Sequence, residues 1–369
     1  FLIAWLAALV NLCWESGWRG PRVRTAALSF GLVLALVLGG GGLRLAFAPA
    51  APATVRVAAV APERGLLDAR DDLAGSFPSA LARAEADPAA LRAVFAAANA
   101  DLLAESERQA RAGAELIVWP EVGAAALEAD LPELVRQVSE LADRTDTYLL
   151  AGLALVTERA PFARNQALLF GPDGALRWTY DKAHPIPGME QLEPGDGVLP
   201  TADTPFGTLA AVICFDADFP ALVRAPVDIL LVPANDWPEF AEPHAEKAVL
   251  RAVENGYALV RPATHGTPLV VDGYGRVLAA ASWLGVDHQV LVADVPITGT
   301  RTGYGVVGDL FAWLCLAALA AYGVRAIRRD RRGAPAGPSD SGPAWPTSAT
   351  MASSSASRPA SGSTPSTSA

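Results

Sequence analysis

Cysteine is scarce in this chain of 369 residues, with one at each of positions 13, 214 and 315. Cys13 and Cys315 lie in strongly apolar stretches near the ends. The polar middle therefore holds one thiol, and no disulfide can form within it. No CxxC or HExxH spacing occurs, and His184, His244, His265 and His288 are too scattered to suggest a metal site. No cofactor is expected. Basic residues are also in deficit: 29 Lys and Arg stand against 39 Asp and Glu, a net charge of −10. No basic stripe is available to meet phosphates, which argues against nucleic acid as a partner. No Gly-x-Ser-x-Gly element is present, so a Ser-His-Asp hydrolase is a weak reading. No internal repeat at fixed spacing is visible.

What abounds is apolar surface, 51% of residues, so membrane segments are sought first. Ala26 to Leu43 is uncharged, long enough to be read as a span. Leu43 to Ala51 extends it past Arg44, and the span is placed at 26–48. Phe1 to Leu12 is uncharged but too short. Since the first residue is not Met, this stretch is read as the end of a preceding span that the chain lacks in part. Leu310 to Val324 reaches spanning length if Thr302–Gly308 joins it, giving a span over 304–326; the plain alternative is a buried core helix. Arg19, Arg22 and Arg24 precede the second apolar segment, and Arg325, Arg328, Arg329, Arg331 and Arg332 follow the last. Basic flanks stay on the cytoplasmic side. Both can do so only if residues 52–303 form an extracytoplasmic domain. A cleaved signal peptide fits less well. Residues 327–369 are basic, then rich in Ser, Pro, Ala and Gly, and are expected to be a disordered cytoplasmic tail.

Between the anchors, helix and strand patterns alternate. Strands are expected at Val55–Val60, Leu116–Trp119, Tyr148–Leu155, Gln166–Phe170, Leu176–Tyr180, Leu209–Ile213, Ile229–Val232, Leu259–Arg261, Leu269–Val271, Val277–Ala280 and Val290–Val295. Helices are expected at Ala89–Ala112, at Leu131–Arg144 with Asp130 as N-cap, and at Pro243–Gly256. This is an α/β layered domain with mixed strands.

Three reactive side chains follow strand-like runs: Glu121 after Leu116–Pro120, Lys182 after Leu176–Asp181, and Cys214 after Leu209–Ile213. They are expected to converge on one edge of one sheet. A thiol is mostly protonated at neutral pH and needs a base or a positive field to become a nucleophile. Glu121 can take its proton and deliver it to a leaving group. Lys182, with the backbone N–H of Phe215, can hold the oxyanion that forms when sulfur attacks a carbonyl. Lys182→Ala is therefore expected to abolish turnover and leave the fold intact. Each residue alone has a plain reading: a buried thiol, a capping carboxylate, a surface lysine. The stretch Pro233–Pro243, with Trp237 and Phe240, reads as an apolar lid or as an ordinary surface loop.

Trp119-Pro-Glu121, Asp181-Lys-Ala-His-Pro185 and Ile213-Cys-Phe-Asp216 resemble the three signature elements of the nitrilase, or carbon–nitrogen hydrolase, superfamily. Arg251-Ala-Val-Glu-Asn255 and Asp272-Gly-Tyr-Gly275 fit its later segments. The resemblance implies a Glu121-Lys182-Cys214 triad in an αββα sandwich, here with flanking transmembrane helices. Asn235-Asp-Trp237, His244 seven residues before Arg251, and Thr302-Gly303 followed by Gly308-Asp309 resemble the apolipoprotein N-acyltransferase branch. That branch implies a bacterial cytoplasmic membrane, a phospholipid acyl donor, a thioester on Cys214 and a lipoprotein's N-terminal amine as acceptor. It further implies a supporting role for Glu190, eight residues after Lys182, and substrate contacts from Trp237 and His244. Phe215-Asp216 stands where the family has Tyr-Glu, and Pro187-Gly-Met-Glu190 departs from its usual Pro-Phe-Gly-Glu. A membrane-anchored amidase or nitrilase is the alternative, and a catalytically dead scaffold is a third reading.

Overall fold

The computed structural model describes residues 1–75, 77–160, 162–282, 287 and 289–333. His288 and most of the tail expected to be disordered lie outside the described residues. The chain divides into two units, Phe1–Asp309 and the part from Leu310 onward.

Two mixed sheets build the first unit. The first runs, in spatial order, Val290–Pro296, Thr54–Val60, Leu116–Val118, Tyr148–Val156, Ala163–Phe170, Leu176–Asp181, with Ala124–Leu127 also paired to Tyr148–Val156. The second runs Thr201–Thr204, Gly207–Ala211, Ile229–Leu231, Ala258–Arg261, Leu269–Val271, Val277–Ala280. Read in these orders, both sheets show one pairing sequence: antiparallel, parallel, parallel, antiparallel, antiparallel. The fold is thus doubled in geometry although no repeat shows in the residues.

Side-chain alternation along the strands fixes the layers. In the first sheet Val55, Val57, Ala59, Leu116, Val118, Leu150 and Leu169 join Leu209, Ala211, Ile229, Leu231, Leu259 and Val270 of the second sheet in one core. Their neighbours Ala58, Val60, Ile117, Leu149, Ala151, Leu168 and Phe170 turn the other way, onto Leu102 of the helix Pro88–Arg111 and Leu134, Val138 and Leu141 of the helix Leu131–Thr145. Against the second sheet, Ala245, Ala248 and Ala252 of the helix Ala241–Asn255 join the core. The result is a mixed α/β sandwich, as the resemblance implied.

Helix ends follow local chemistry. Asp87 accepts from Ala90 N–H at 3.1 Å with Pro88 next to it. Gly256, at φ +82, ends the helix Ala241–Asn255, and a Cβ there would lie 1.9 Å from Thr300 O. Asp130 does not cap its helix as expected; its Oδ2 accepts from Arg92 Nε at 2.6 Å instead, joining two helices. The helices Arg64–Ala74 and Phe77–Ala86 and the strands Ala124–Leu127 and Thr201–Thr204 are additions to the sequence reading.

Near the N-terminus lie the helices Leu2–Ser16 and Pro21–Ala46; the latter and Leu310–Arg329 are long and apolar enough to cross a membrane by length and composition. Pro21–Ala46 ends with Arg44 donating to Gly273 O at 3.2 Å and lying 5.0 Å over the Tyr274 ring. The third apolar stretch differs from expectation. Residues Gly303–Val307 form a separate short helix with Thr302 Oγ1 accepting from Gly305 N–H, and Gly308 ends it at φ +56. Thr302 also donates to Glu254 O, so this segment belongs to the first unit, and the long helix begins only at Leu310.

Gly152 shows how the fold makes room for the site. A Cβ there would lie 1.9 Å from Pro120 O and 3.2 Å from Glu121 Cα. Gly152→Ala is expected to destabilise the protein by about 1–3 kcal/mol through overpacking against backbone and to slow any reaction that needs Glu121. Urea unfolding and the activity of the folded fraction check this; unchanged values for both would contradict it.

Candidate active site

Glu121, Lys182 and Cys214 are brought together, but not on one edge of one sheet. Glu121 and Lys182 follow strands of the first sheet, whereas Cys214 follows Gly207–Ala211 of the second. They meet in the cleft between the two. Short apolar runs announce strand ends equally well in either sheet, which is why the sequence did not separate them.

Each side chain is held by its own backbone geometry. Cys214 has φ +51, a left-handed conformation costly for a residue with a Cβ. Its N–H donates to Pro233 O at 2.8 Å, and the strand turns sharply into Cys214–Asp218. Val122, after Glu121, also has positive φ (47). The sulfur lies 3.9 Å from Asn235 O.

The carboxylate of Glu121 has three donors. Lys182 Nζ reaches Oε1 at 2.8 Å, Asn165 Nδ2 reaches the same oxygen at 2.7 Å, and Asn235 N–H reaches Oε2 at 2.8 Å. Lys182 also donates to Glu190 Oε1 at 2.8 Å, and Glu190 Oε2 accepts from Ile186 N–H at 2.7 Å. The sequence-expected supporting glutamate is therefore in direct contact with the amine. Lys182 is 1% exposed and Glu121 3%. Burial favours a neutral amine, but the charges of Glu121, Cys214 and Glu190 outweigh it and raise the Lys182 pKa well above the usual lysine range. Burial first, and Glu121 second, push the Glu190 carboxyl up, against the pull of Lys182. Burial and the Glu121 charge push the Cys214 thiol up, against Lys182 and Arg261. The thiol therefore rests protonated, with the Glu121 side chain beside it as its candidate acceptor.

This geometry corrects the expectation that Lys182→Ala leaves the fold intact. The amine, itself 1% exposed, lies between a carboxylate that is 3% exposed and one that is 20% exposed, so it is structural as well as reactive.

Asp216 is not at the reacting end. It is fully buried and accepts from Tyr180 Oη (2.8 Å), His184 N–H (2.7 Å), Ala183 N–H (3.3 Å) and Ile213 N–H (3.2 Å). It ties the Lys182 loop to the Cys214 turn. Phe215 packs edge-on to Phe219, which stacks on His184. Trp237 is 41% exposed and Phe240 62%. His244, expected among the substrate contacts, lies beside the sulfur: Cys214, Asp236 and His244 each offer an atom within 4.8 Å of the others. Asn165 and Arg261 were not found by sequence reasoning, and Asp236 entered it only within Asn235-Asp-Trp237. The signal was weak but present: an uncompensated arginine closing the apolar strand Ala258–Arg261 needs a buried partner.

A cavity of about 340 Å³ opens on the site. Glu121, Asn165, Glu190, Gln191, Asn235, Asp236, Arg70 and Asp71 line it together with Ala74, Ala80, Phe95, Ala125, Ala154 and Val156. Met189 and Trp237 also line it, and both are exposed.

Residues 84–303, more than half of the chain, match the carbon-nitrogen hydrolase family. The chain belongs to that family. A solved carbon-nitrogen hydrolase from Helicobacter pylori superposes with a TM-score of 0.50 at 18% identity, covering 66% of this chain and 89% of that one, a likeness of fold. Among curated proteins, the apolipoprotein N-acyltransferase of Geobacter metallireducens is 29% identical over 236 residues, 56% of this chain and 44% of its own length. That of Gloeobacter violaceus is 32% identical over 243 residues, 58% of this chain and 45% of its own. This carbon–nitrogen hydrolase chain thus spans a little under half the length of those relatives.

Proposed function

We propose that the protein transfers a fatty acyl chain from a phospholipid to the N-terminal amine of a lipoprotein's diacylglyceryl-cysteine, through a thioester on Cys214. The observation that carries this reading is the cavity, in which Glu121 shares the lining with Ala74, Ala80, Phe95, Ala125, Ala154 and Val156. Apolar side chains in that number beside the carboxylate suit an acyl chain better than a small amide. The names of the relatives and the two apolar helices support the same reading.

The steps follow from the groups present. Glu121 takes the thiol proton as sulfur attacks the ester carbonyl, and Lys182 with the Phe215 N–H meets the oxyanion. Glu121 then returns the proton to the departing lysophospholipid. In the second half, the acceptor amine attacks the thioester, the C–S bond breaks, and Glu121 passes the amine's proton to the sulfur. Glu190 holds Lys182 in place. The domain faces the outside of the bacterial cytoplasmic membrane, with the arginine clusters inside.

Incubation with labelled phospholipid and a diacylglyceryl-cysteine peptide is expected to yield N-acylated peptide. Ammonia release from small amides, with no acylated peptide, would instead favour a membrane-anchored amidase. Protection of the region near Arg159 from external protease in intact spheroplasts would contradict the orientation.

A further inference from the structure

The turn that carries Glu121 is strained, and a residue far from it in sequence holds it. Gly123 N–H donates to Pro120 O at 3.0 Å, so residues 120–123 close a turn with Glu121 and Val122 at its centre. Val122 stands at φ +47. A branched side chain there is a genuine outlier, and glycine is the residue such a position favours. Relaxation of Val122 toward negative φ would re-aim the glutamate beside it.

Arg70, on the helix Arg64–Ala74, opposes that relaxation. Its Nη1 donates to Val122 O at 2.6 Å and to Gly123 O at 3.1 Å, one hydrogen for each carbonyl. Its Nε donates to Asp71 Oδ1 at 2.9 Å, which fixes the plane of the guanidinium. The Arg70 side chain is 7% exposed, so these bonds are largely shielded from water, where losing a donor is costly. From this turn the Glu121 carboxylate meets donors on separate segments: Lys182 Nζ at 2.8 Å, Asn165 Nδ2 at 2.7 Å and Asn235 N–H at 2.8 Å. Bonds that short leave little latitude for a displaced carboxylate. Arg70 also lines the cavity, but Asp71, Glu121 and Glu190 line it too, so an anionic ligand is poorly matched to this guanidinium.

We propose that Arg70 is a positioning residue for Glu121. By holding the carbonyls of Val122 and Gly123 it keeps Val122 left-handed and the Glu121 carboxylate in register with Lys182 and Cys214. Among the described residues its hydrogen bonds go to the turn and to Asp71, not to the sulfur or the carboxylate, so it acts through the backbone. The inference rests on Glu121 as the base for Cys214, as under Proposed function, and needs no particular acyl donor.

The test is the rate of Cys214 alkylation by iodoacetamide at neutral pH, normalised to the folded fraction. Mass spectrometry resolves the Cys214 peptide from those of Cys13 and Cys315. Arg70→Met is expected to react about 10- to 100-fold more slowly than wild type, the scale of loss for a displaced catalytic group. Arg70→Lys, which keeps a charge and donors, is expected to fall between the two. Two further results separate positioning from plain packing. In a Glu121→Gln background the Arg70 substitution is expected to add no further slowing. Adding Val122→Gly to the Arg70 variant is expected to recover the rate several-fold, because glycine takes the left-handed conformation without strain. If Arg70→Met does not fold, Arg70→Lys carries the same comparisons. A wild-type rate in the Arg70 variant, equal slowing with and without Glu121, or no recovery with Val122→Gly would overturn the proposal. A Glu121→Gln protein that by itself reacts at the wild-type rate would instead sink the base assigned under Proposed function, a result read on a different protein.

Discussion

Lys182→Ala is expected to lose turnover and, in addition, about 3–5 kcal/mol of stability. The figure is that for stranding the partners of a buried ion pair, and here two carboxylates are stranded. Glu121 and Glu190 each lie 2.8 Å from Nζ, and Glu121 keeps only 3% exposure. The pH dependence has a definite sign. The folded-state pKa of Lys182 is raised, so its stabilisation is complete below the ordinary lysine value and is lost only as pH rises through the folded value. At neutral pH the wild-type protein therefore has the full benefit. In the variant, protonating one carboxyl relieves the repulsion, so the deficit should shrink as pH falls toward the raised Glu190 value. Urea unfolding at neutral and mildly acidic pH measures both. Adding Glu190→Gln to Lys182→Met should recover part of the stability and none of the activity. A Lys182→Ala protein as stable as wild type would show that the amine is not the bridge described here.

Glu121→Gln is expected to slow formation of the acyl-enzyme by roughly 10²–10⁴-fold, the usual contribution of a positioned base. Geometry adds to the chemical loss. The carboxylate accepts from Lys182, Asn165 and Asn235 N–H at once, and a glutamine must turn its NH₂ toward one of those donors. Rapid-quench measurement of Cys214 acylation separates this step from later ones. A rate within a few-fold of wild type would remove Glu121 from the mechanism.

The reactive residues were legible because each follows a short strand-like run, uncharged before Glu121 and Cys214, and a polar group at a strand end is easily noticed. Their assignment to two sheets was not, since pairing order is a tertiary property. Arg261 and Asp236 are 25 positions apart and meet through the parallel two-residue strands Ala234–Asn235 and Ala263–Thr264. Nothing local to either announces the other. Asp216 stands where the family has a glutamate, yet it accepts from Tyr180 and from the N–H groups of Ala183 and His184 on one side and Ile213 on the other, which makes it a strut between the Lys182 and Cys214 segments. The helix Arg64–Ala74 escaped notice because charged residues interrupt its apolar pattern, and only Leu67, Arg70 and Ala74 are buried. The break before Leu310 depends on Gly308 at positive φ and on the Thr302–Glu254 contact. A hydropathy pattern records neither.

The central claim is that the sulfur of Cys214 carries the acyl group. The most direct measurement is intact-protein mass spectrometry after incubation with phospholipid in the absence of an acceptor. The wild-type chain should gain one fatty acyl mass, removable by hydroxylamine and located on the Cys214 peptide, and Cys214→Ala should gain none. A wild-type chain that gains no such mass, or a Cys214→Ala chain that gains it equally, would contradict the account.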